Sequence, residues 1–371
     1  MVDAPAQRPQ VNGFTPERHQ VHGFTADGFI AAARELVPRG FGAARDLYKQ
    51  AVLEGRFEPA SLGLSAEAVG LYEAAFRFEL PTVTSTVSEE GETGTTAKAV
   101  LRLSDGYEVE CVLIPMGRDK HTLCVSSQVG CKMGCTFCET ARMGLLRHLS
   151  ADEIVGQLLV ARHVLGWDFK NVVFMGMGEA LDNPGLFHVL RLLNDPSGMR
   201  IAQECLTVCT VGSVDGIERL SEAGFTRLNL SVSLNSADDA MRSRIMPVNR
   251  KHGLSELQAA LAAYRPRRNF ALGVNYCLMP GLNDTREDAA RVASFCAPIA
   301  RSLVNVIPYN PGNAPLTRAP SDEEVDAFIG WLREEGLAVR RRVTKGRSVM
   351  AACGQLGNAE LRRGRALPVA R

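Results

Sequence analysis

Three cysteines within one short segment could together bind an iron–sulfur cluster. Cys131, Cys135 and Cys138 lie in CKMGCTFC, a CxxxCxxC spacing that follows a predicted strand and precedes a predicted helix. Three thiolates on a [4Fe–4S] cubane leave one iron free to bind the amino and carboxylate groups of S-adenosylmethionine, whose sulfonium a cluster electron can cleave to a radical. The alternatives are a zinc site completed by Cys124 or a distant cysteine, and a coincidental set of buried thiols.

A glycine-rich turn follows the next predicted strand and could bind the same cofactor. Its residues are Met175-Gly176-Met177-Gly178-Glu179, and glycine lets a ligand approach the backbone closely. Such a turn is usually only a turn, but this one lies one β/α unit after the cysteine motif. In radical-SAM enzymes a Gly-Gly-Glu-like turn at that place binds the methionyl amino group. Phe137, just before the third cysteine, is also typical of their cluster loops.

Strands and helices alternate from about residue 120 onward, and these elements must position the motifs. The predicted strands cover 121–127, 171–177, 206–211, 227–234, 271–279 and 302–309. Helical apolar spacing covers 150–166, 214–224, 255–265, 286–300 and 321–336. Several of these helices open with Ser or Asp followed by acidic residues, as N-caps do. The pattern predicts an α/β fold, an incomplete (β/α)6-type radical-SAM barrel, with an open doubly wound sheet as the alternative. In either fold, ligands bind at the carboxyl ends of the strands.

The chain before residue 116 has a different character. Residues 1–25 are polar, and we predict that they are disordered. Residues 26–115 combine helical segments with β-branched, Gly-containing hairpin segments, which predicts a small accessory domain that could contact RNA. The partial barrel is predicted over 116–345, and 346–371 is a separate C-terminal segment.

The composition is that of an ordinary globular protein. The 371 residues are 46% hydrophobic and 22% charged, which allows one large catalytic domain and one smaller domain. We find no secretory signal and no apolar stretch of about 18 residues, so we expect a cytoplasmic protein without a membrane span. In a reducing compartment the ten cysteines should be thiols or metal ligands rather than a disulfide framework.

The charge is distributed unevenly along the chain. The net charge is only +1, but residues 336–371 contain nine Lys or Arg side chains and a single acid, Glu360. A basic end on an otherwise acidic body suits a polyanion such as RNA. A solvated, frayed terminus would have the same composition. A second basic cluster, Arg265, Arg267 and Arg268, is a further hypothesised RNA contact.

Five motifs resemble those of the RlmN/Cfr family of radical-SAM RNA adenosine methyltransferases. In chain order they are CVSSQVGCKMGCTFC (124–138), GMGEALDNP (176–184), SVSLNS (231–236), VNVIPYNP (304–311) and AACGQLGN (351–358). The likeness runs over about residues 105–358 and more loosely through the N-terminal region. Because five motifs occur in the same order, the resemblance is specific at the level of the family.

The resemblance implies a two-stage reaction that uses two S-adenosylmethionine molecules per turnover. Cys353 would first accept a methyl group by displacement, and a radical would then convert the S-methyl group into a carbon radical that adds to the adenine ring. Cys124 would attack the sulfur as the resolving cysteine, which forms a transient disulfide and releases the methylated base. Glu110 matches the family's proposed proton acceptor. A ring carbon is a poor nucleophile, which explains why simple methyl transfer would fail there.

Other positions match the family's cofactor contacts. These are Gly178, Glu179, Cys209, Ser233, Leu234, Asn235 and Asn310. The sequence departs from the family at Cys209, where a serine hydroxyl is expected. It also departs at His148, where Asn is usual, and at Tyr309, where many members have Trp.

The resemblance also suggests a substrate. The QVGC stretch favours the RlmN type, which methylates carbon 2 of adenosine 2503 in 23S rRNA and often adenosine 37 of some tRNAs. The Cfr type methylates carbon 8 of the same rRNA adenosine with the same residues. The target base must leave its stack to reach the site. A reducing partner such as flavodoxin and a monomeric state are further expectations.

Two other functional classes stay open at this point. A radical-SAM enzyme of another reaction type would share the three cluster cysteines but would have no use for Cys124 and Cys353. A non-catalytic metal-binding RNA protein would need neither cofactor cleavage nor these two thiols.

Overall fold

The computed structural model describes residues 18–117, 120–299 and 301–357. The chain divides between Glu79 and Leu80 into two compact units. The basic residues after 357, and Asn358 of the last family motif, lie outside the described residues.

The first unit is a small helical bundle with two short parallel strands. Its elements are β1 (His19–Gln20), α1 (Ala26–Leu36), α2 (Ala44–Lys49), α3 (Ala66–Ala75) and β2 (Phe76–Arg77). Thr25 and Ser65 cap α1 and α3 by accepting backbone N–H bonds. The rings of Phe29 and Phe76 pack edge to face with centroids 4.7 Å apart. The prediction that 1–25 is disordered is therefore wrong for residues 18–25, which include β1 and join this core; residues 1–17 lie outside the described part.

The second unit opens with an antiparallel ribbon that joins the barrel sheet. Its strands are β3 (Thr82–Gly91), β4 (Gly94–Arg102) and β5 (Glu108–Pro115). β5 then pairs antiparallel with β6 (His121–Cys124), with Val112 opposite Cys124. The predicted accessory domain over 26–115 was wrong in its boundary, because these hairpins belong to the catalytic sheet. Alternating polar and apolar residues identify a strand in the sequence, but they do not show which other strand will pair with it.

The cysteine motif lies between the strands of a separate hairpin. β7 (Gln128–Cys131) and β8 (Gly144–His148) pair antiparallel, and α4 (Glu139–Arg142) lies between them. A side chain at Gly130 would place its Cβ 1.8 Å from the carbonyl oxygen of Gly144. Glycine is therefore required where the hairpin closes.

Seven parallel strands form the rest of the main sheet. They are β6, β9 (Asn171–Phe174), β10 (Leu206–Thr210), β11 (Asn229–Ser233), β12 (Leu272–Leu278), β13 (Ser302–Pro308) and β14 (Ala338–Arg341), in that spatial order. The crossover helices are α5 (Ala151–Leu159), α6 (Leu186–Asn194), α7 (Val214–Glu222), α8 (Asp239–Ile245), α9 (Leu254–Ala263), α10 (Arg286–Cys296) and α11 (Asp322–Glu334). The predicted α/β partial-barrel fold is confirmed.

Most of the elements predicted after residue 120 agree with the structure. All six predicted strands and five predicted helices are present, and capping boxes open α5, α10 and α11. Sequence reasoning missed β14, whose AVRR sequence lacks apolar alternation, and the short helices α6 and α8. None of the helices within the described ranges is long and apolar enough to cross a membrane.

Candidate active site

The cluster motif lies in a loop that is anchored to the carboxyl end of α8. Cys131 ends β7, and the backbone N–H of Thr136 donates to the Ile245 carbonyl at 2.9 Å. Cys135 packs against Met246 and neighbouring apolar side chains, and only 7% of its surface is exposed. The loop therefore brings the three predicted ligands together on one short, fixed piece of backbone.

The thiols of this loop influence one another electrostatically. Burial, together with the neighbouring Cys138, raises the pKa of Cys131 to about 12. Burial also raises the pKa of Cys135, and both other thiols of the motif add to that effect. A cationic iron centre would reverse this cost by stabilising the thiolates. Across the described residues, no group of three or more His, Cys, Asp or Glu side chains is arranged to hold a single metal ion.

The glycine-rich turn after β9 is shaped by close packing. Gly178 has φ 104°, and a Cβ there would lie 2.6 Å from the Cβ of Gln128. A Cβ at Gly176 would lie 2.6 Å from the carbonyl oxygen of Val125. Both glycines are needed so that the turn can pack closely against the segment that leads into the cysteine motif. This packing holds the turn next to the cluster loop.

Glu179 is the buried acid of this turn. Its carboxylate accepts hydrogen bonds from the backbone N–H groups of Leu181 at 3.3 Å and Val211 at 2.8 Å. Burial raises its pKa to about 7. Burial makes the ionised form of a carboxylate unfavourable, and a nearby cation stabilises that form. The ammonium group of a ligand would be such a cation.

The smaller of two adjoining cavities lies at the carboxyl ends of the parallel strands, and the larger extends from there along the barrel interior to residues near the amino ends, such as Asn171, Asn229 and Leu303. The larger has a volume of about 490 Å³ and the smaller about 140 Å³. Both are lined by Met175, Cys138, Cys209, Asn275 and Cys353. The cluster loop and the C-terminal thiol therefore line the same site. It includes the edge of the sheet where this fold is expected to bind ligands.

Most of the predicted cofactor contacts line the smaller cavity. The residues that do so are Gly178, Glu179, Cys209, Ser233 and Asn235. Leu234 is buried beside them, with its backbone N–H bound to the Asn275 carbonyl at 3.0 Å. Asn310 lines a third cavity of about 210 Å³ that also contains Cys353. Its buried side-chain oxygen has no hydrogen-bond partner among the described residues, so a ligand donor is needed to satisfy it.

Cys353 stands on a segment that several elements hold in place. Its side chain is exposed to the cavity, and its Sγ lies 3.8 Å from the sulfur of Met175. The Thr140 hydroxyl donates to the Leu356 carbonyl at 2.6 Å, and the Glu139 N–H donates to the Gly354 carbonyl at 2.8 Å. The helix that follows the cluster motif therefore fixes the position of the C-terminal thiol.

Cys124 lies at the end of β6 and lines the larger cavity with Cys353. It is 6% exposed, and burial together with the nearby Cys353 raises its pKa. The two thiols are 229 positions apart in the sequence, yet they face the same space. Their assigned roles stay predictions.

Glu110 contacts the segment that carries Cys353, and its role as a proton acceptor stays a prediction. Its carboxylate pairs with Lys98 at 3.0 Å and accepts the Gly357 N–H at 2.8 Å. Lys98 also donates to the Met350 carbonyl at 3.0 Å. In this arrangement Glu110 holds the segment that carries Cys353. To accept a ring proton it would have to release these bonds.

Comparisons with known proteins identify the family. Residues 125–293 match the radical SAM superfamily. The chain is 36% identical over 343 residues to a probable dual-specificity RNA methyltransferase RlmN 1 of Protochlamydia amoebophila, covering 91% of this chain and 94% of that protein. The chain belongs to the RlmN family. The resemblance inferred from the five motifs is confirmed.

Similarity to two further proteins supports this family assignment. The dual-specificity RNA methyltransferase RlmN of Syntrophotalea carbinolica is 38% identical over 281 residues, which is 76% of this chain and 74% of that protein. A crystal structure of a radical SAM methyltransferase from Sphaerobacter thermophilus is 31% identical. It superposes with a TM-score of 0.83 over 94% of this chain and all of that chain.

Radical-SAM proteins use a [4Fe–4S] cluster and S-adenosylmethionine, and the residues of this RlmN-family chain fit both groups. The buried thiols of Cys131 and Cys135 and the half-buried thiol of Cys138 are a suitable donor set for a cubane with one open iron. The buried Glu179 and the unpartnered Asn310 oxygen are suited to the ammonium and hydroxyl donors of the cofactor. We propose these residues as its ligands.

The structure adds to what the sequence indicated about the thiols of the smaller cavity. Cys209, already noted as a departure from serine, offers a thiol, which is a weaker hydrogen-bond donor than a hydroxyl, and burial raises the pKa of this thiol. Cys277 also lines the smaller cavity, although its sequence position carried no motif. The cavity thus contains more thiols than the family pattern requires.

Sequence reasoning also missed Arg242, a buried residue on α8 that positions neighbouring segments. Its guanidinium donates to the Leu234 carbonyl at 3.0 Å, the Val211 carbonyl at 2.5 Å and the Asn249 side-chain oxygen at 2.6 Å. It therefore joins the carboxyl ends of β10 and β11. The only available signal was its place just after the SVSLNS motif.

We expect Arg242→Leu to destabilise the protein by about 3 kcal/mol, because buried carbonyl groups would lose their donors. Chemical denaturation followed by circular dichroism measures this change. Arg244 is two residues away and exposed, so Arg244→Leu is the matched control and should change stability little. Equal effects of both variants would contradict the positioning role.

Proposed function

We propose that this protein methylates carbon 2 of adenosine 2503 in 23S rRNA and of adenosine 37 in tRNA. The observation that carries the proposal is the shared cavity, which is lined by Cys353, Cys124 and the cluster residue Cys138. A radical-SAM enzyme of another reaction type has no evident need for the first two thiols. The relatives' printed description as dual-specificity RNA methyltransferases agrees with it.

Cys353 is suited to act first, as the methyl acceptor. Its thiolate would displace the methyl group of one S-adenosylmethionine, which forms a C–S bond and releases S-adenosylhomocysteine. The exposed side chain in the cavity permits that approach. When bound, the cluster and a second S-adenosylmethionine supply the hydrogen-abstracting radical that lets the S-methyl carbon attack the adenine ring.

Cys124 is suited to complete the turnover. Its thiolate would attack the sulfur of Cys353, so that an S–S bond forms as the C–S bond to the modified base breaks. The disulfide is two electrons more oxidised than the two thiols, so a reducing partner such as a flavodoxin would have to supply two electrons to regenerate them. Burial raises the pKa of Cys124, so a base has to accept its proton before the thiolate can attack.

The basic clusters differ in how far they support RNA binding. Arg267 donates to the Leu228 carbonyl and to the Asn229 side chain, both at 3.1 Å, so its guanidinium has a structural role. Arg265 and Arg268 are exposed and remain candidates for phosphate contacts.

Mass mapping of adenosines in RNA from cells with and without this protein tests the proposal. We expect 2-methyladenosine to disappear from the rRNA position, and from tRNA, when the gene is removed. Loss of 8-methyladenosine instead would assign the carbon 8 activity. Loss of neither would contradict RNA methylation.

A further inference from the structure

The last strand of the barrel sheet separates three consecutive arginines onto two faces. Arg340 is in register with Asn305 of β13, and the backbone N–H of Arg342 donates to the Val306 carbonyl at 2.8 Å. Since side chains alternate along a strand, Arg340 and Arg342 share one face. Both line the larger cavity, whereas Arg341 lines only the third cavity, beside its two neighbours.

Arg341 is already neutralised on the outer face. Its guanidinium pairs with Asp326 at 2.7 Å and also with Asp322, both on α11. The basic run in the sequence is therefore not one uniform RNA-binding segment. The structure removes Arg341 from the candidate RNA contacts and leaves its two neighbours directed to the cavity.

The two inward arginines have no acidic partner. Among the described residues, neither guanidinium forms an ion pair. The one acid that lines the larger cavity, Glu204, pairs instead with Arg227 at 3.2 Å. An unneutralised pair of guanidinium groups beside a cavity favours an anionic ligand.

A buried amide adds a further unused donor to the same place. Asn275 lies level with Asn305 across β12 and β13, and its side-chain oxygen accepts the Asn305 amide at 3.2 Å. Its own NH₂ group is buried and has no partner within the described part of the chain. Asn275 lines both cavities, so this donor is available to a ligand.

We propose that Arg340 and Arg342, with the amide of Asn275, form a phosphate site for the RNA nucleotide whose base enters the cavity. This inference rests on the proposed function, and it adds how the substrate is held. Arg340 is exposed, Arg342 is half-buried and Asn275 is buried, so the three donors run from the mouth of the larger cavity inward, and a phosphate between them leaves the rest of the interior to the base. Guanidinium groups match phosphate oxygens in pairs, and such contacts fix an unstacked nucleotide without reading its sequence.

RNA binding as a function of salt tests this site. Fluorescence anisotropy with the full-length, anaerobically purified protein and a fluorescein-labelled single-stranded RNA gives the slope of log K against log KCl concentration. For the Arg340→Ala, Arg342→Ala double variant we expect the slope to fall by about 1.4, since each lost phosphate contact on a single strand removes about 0.7. The double Lys variant should keep most of the slope, because it keeps both charges.

Arg341→Ala provides the matched control and should leave the slope unchanged. If it lowers the slope as much as the double variant does, or if the double variant leaves the slope unchanged, the phosphate site is wrong. The carboxylate of S-adenosylmethionine is the other anion to consider. If the double variant loses only affinity for this cofactor in equilibrium dialysis, the assignment to RNA is overturned.

The failure of the proposed function would be visible separately. In that case the wild-type protein would methylate no adenosine in the mass mapping, whereas the difference in salt slope would persist. Failure of the phosphate site alone would leave methylation intact in the wild-type protein and show equal slopes for the wild type and the double variant.

Discussion

Cys353→Ala is expected to lose RNA methylation by a factor on the order of a thousand or more, because no other group can carry the methyl carbon to the ring. Cys353 is the exposed thiol of the shared cavity, and its segment is held by α4 and β4–β5. Mass spectrometry of the wild-type protein should find a methyl group on the peptide that contains it, and RNA methylation is then measured in both proteins.

A thiol outside the cavity provides the control for this variant. Cys296 is buried on α10 and lines neither of the two cavities, so Cys296→Ala should keep both the methylated peptide and activity. The prediction would be wrong if Cys353→Ala retained activity, or if the methyl group appeared on a different cysteine.

Cys124→Ala is expected to trap the reaction one step later. Without the resolving thiol, the thioether between Cys353 and the modified base would not be cleaved, so a covalent RNA–protein adduct should accumulate. The adduct would survive reducing agent and would appear as a slow band on a denaturing gel. Less than one methylated base per chain should be released.

Cys111 is the matched control for the second variant. It is fully buried on the neighbouring strand β5, it lies close enough to Cys124 to raise its pKa, and it does not line the larger cavity. Cys111→Ala should release product without an adduct. Normal turnover by Cys124→Ala would remove the resolving role from this residue and direct attention to Cys209, the other buried thiol of the cavity.

Sequence reasoning can define candidate site residues where the chemistry depends on local spacing. The CxxxCxxC motif and the glycine-rich turn each lie within a few residues, so their geometry follows from a single loop. Glu110 shows the limit of this approach. Its bonds to Lys98 and Gly357 join three distant segments, and no local pattern could predict them.

The sequence by itself determined the family, the alternating α/β order and the cluster motif, because ordered motifs and hydrophobic periodicity are properties of short stretches. Only the tertiary structure decided that the hairpins over 82–115 join the barrel sheet and that Cys124 and Cys353 face one cavity. It also decided which arginines of β14 remain without acidic partners. These outcomes depend on strand pairing and on the face that each side chain takes, and both are settled when distant segments meet.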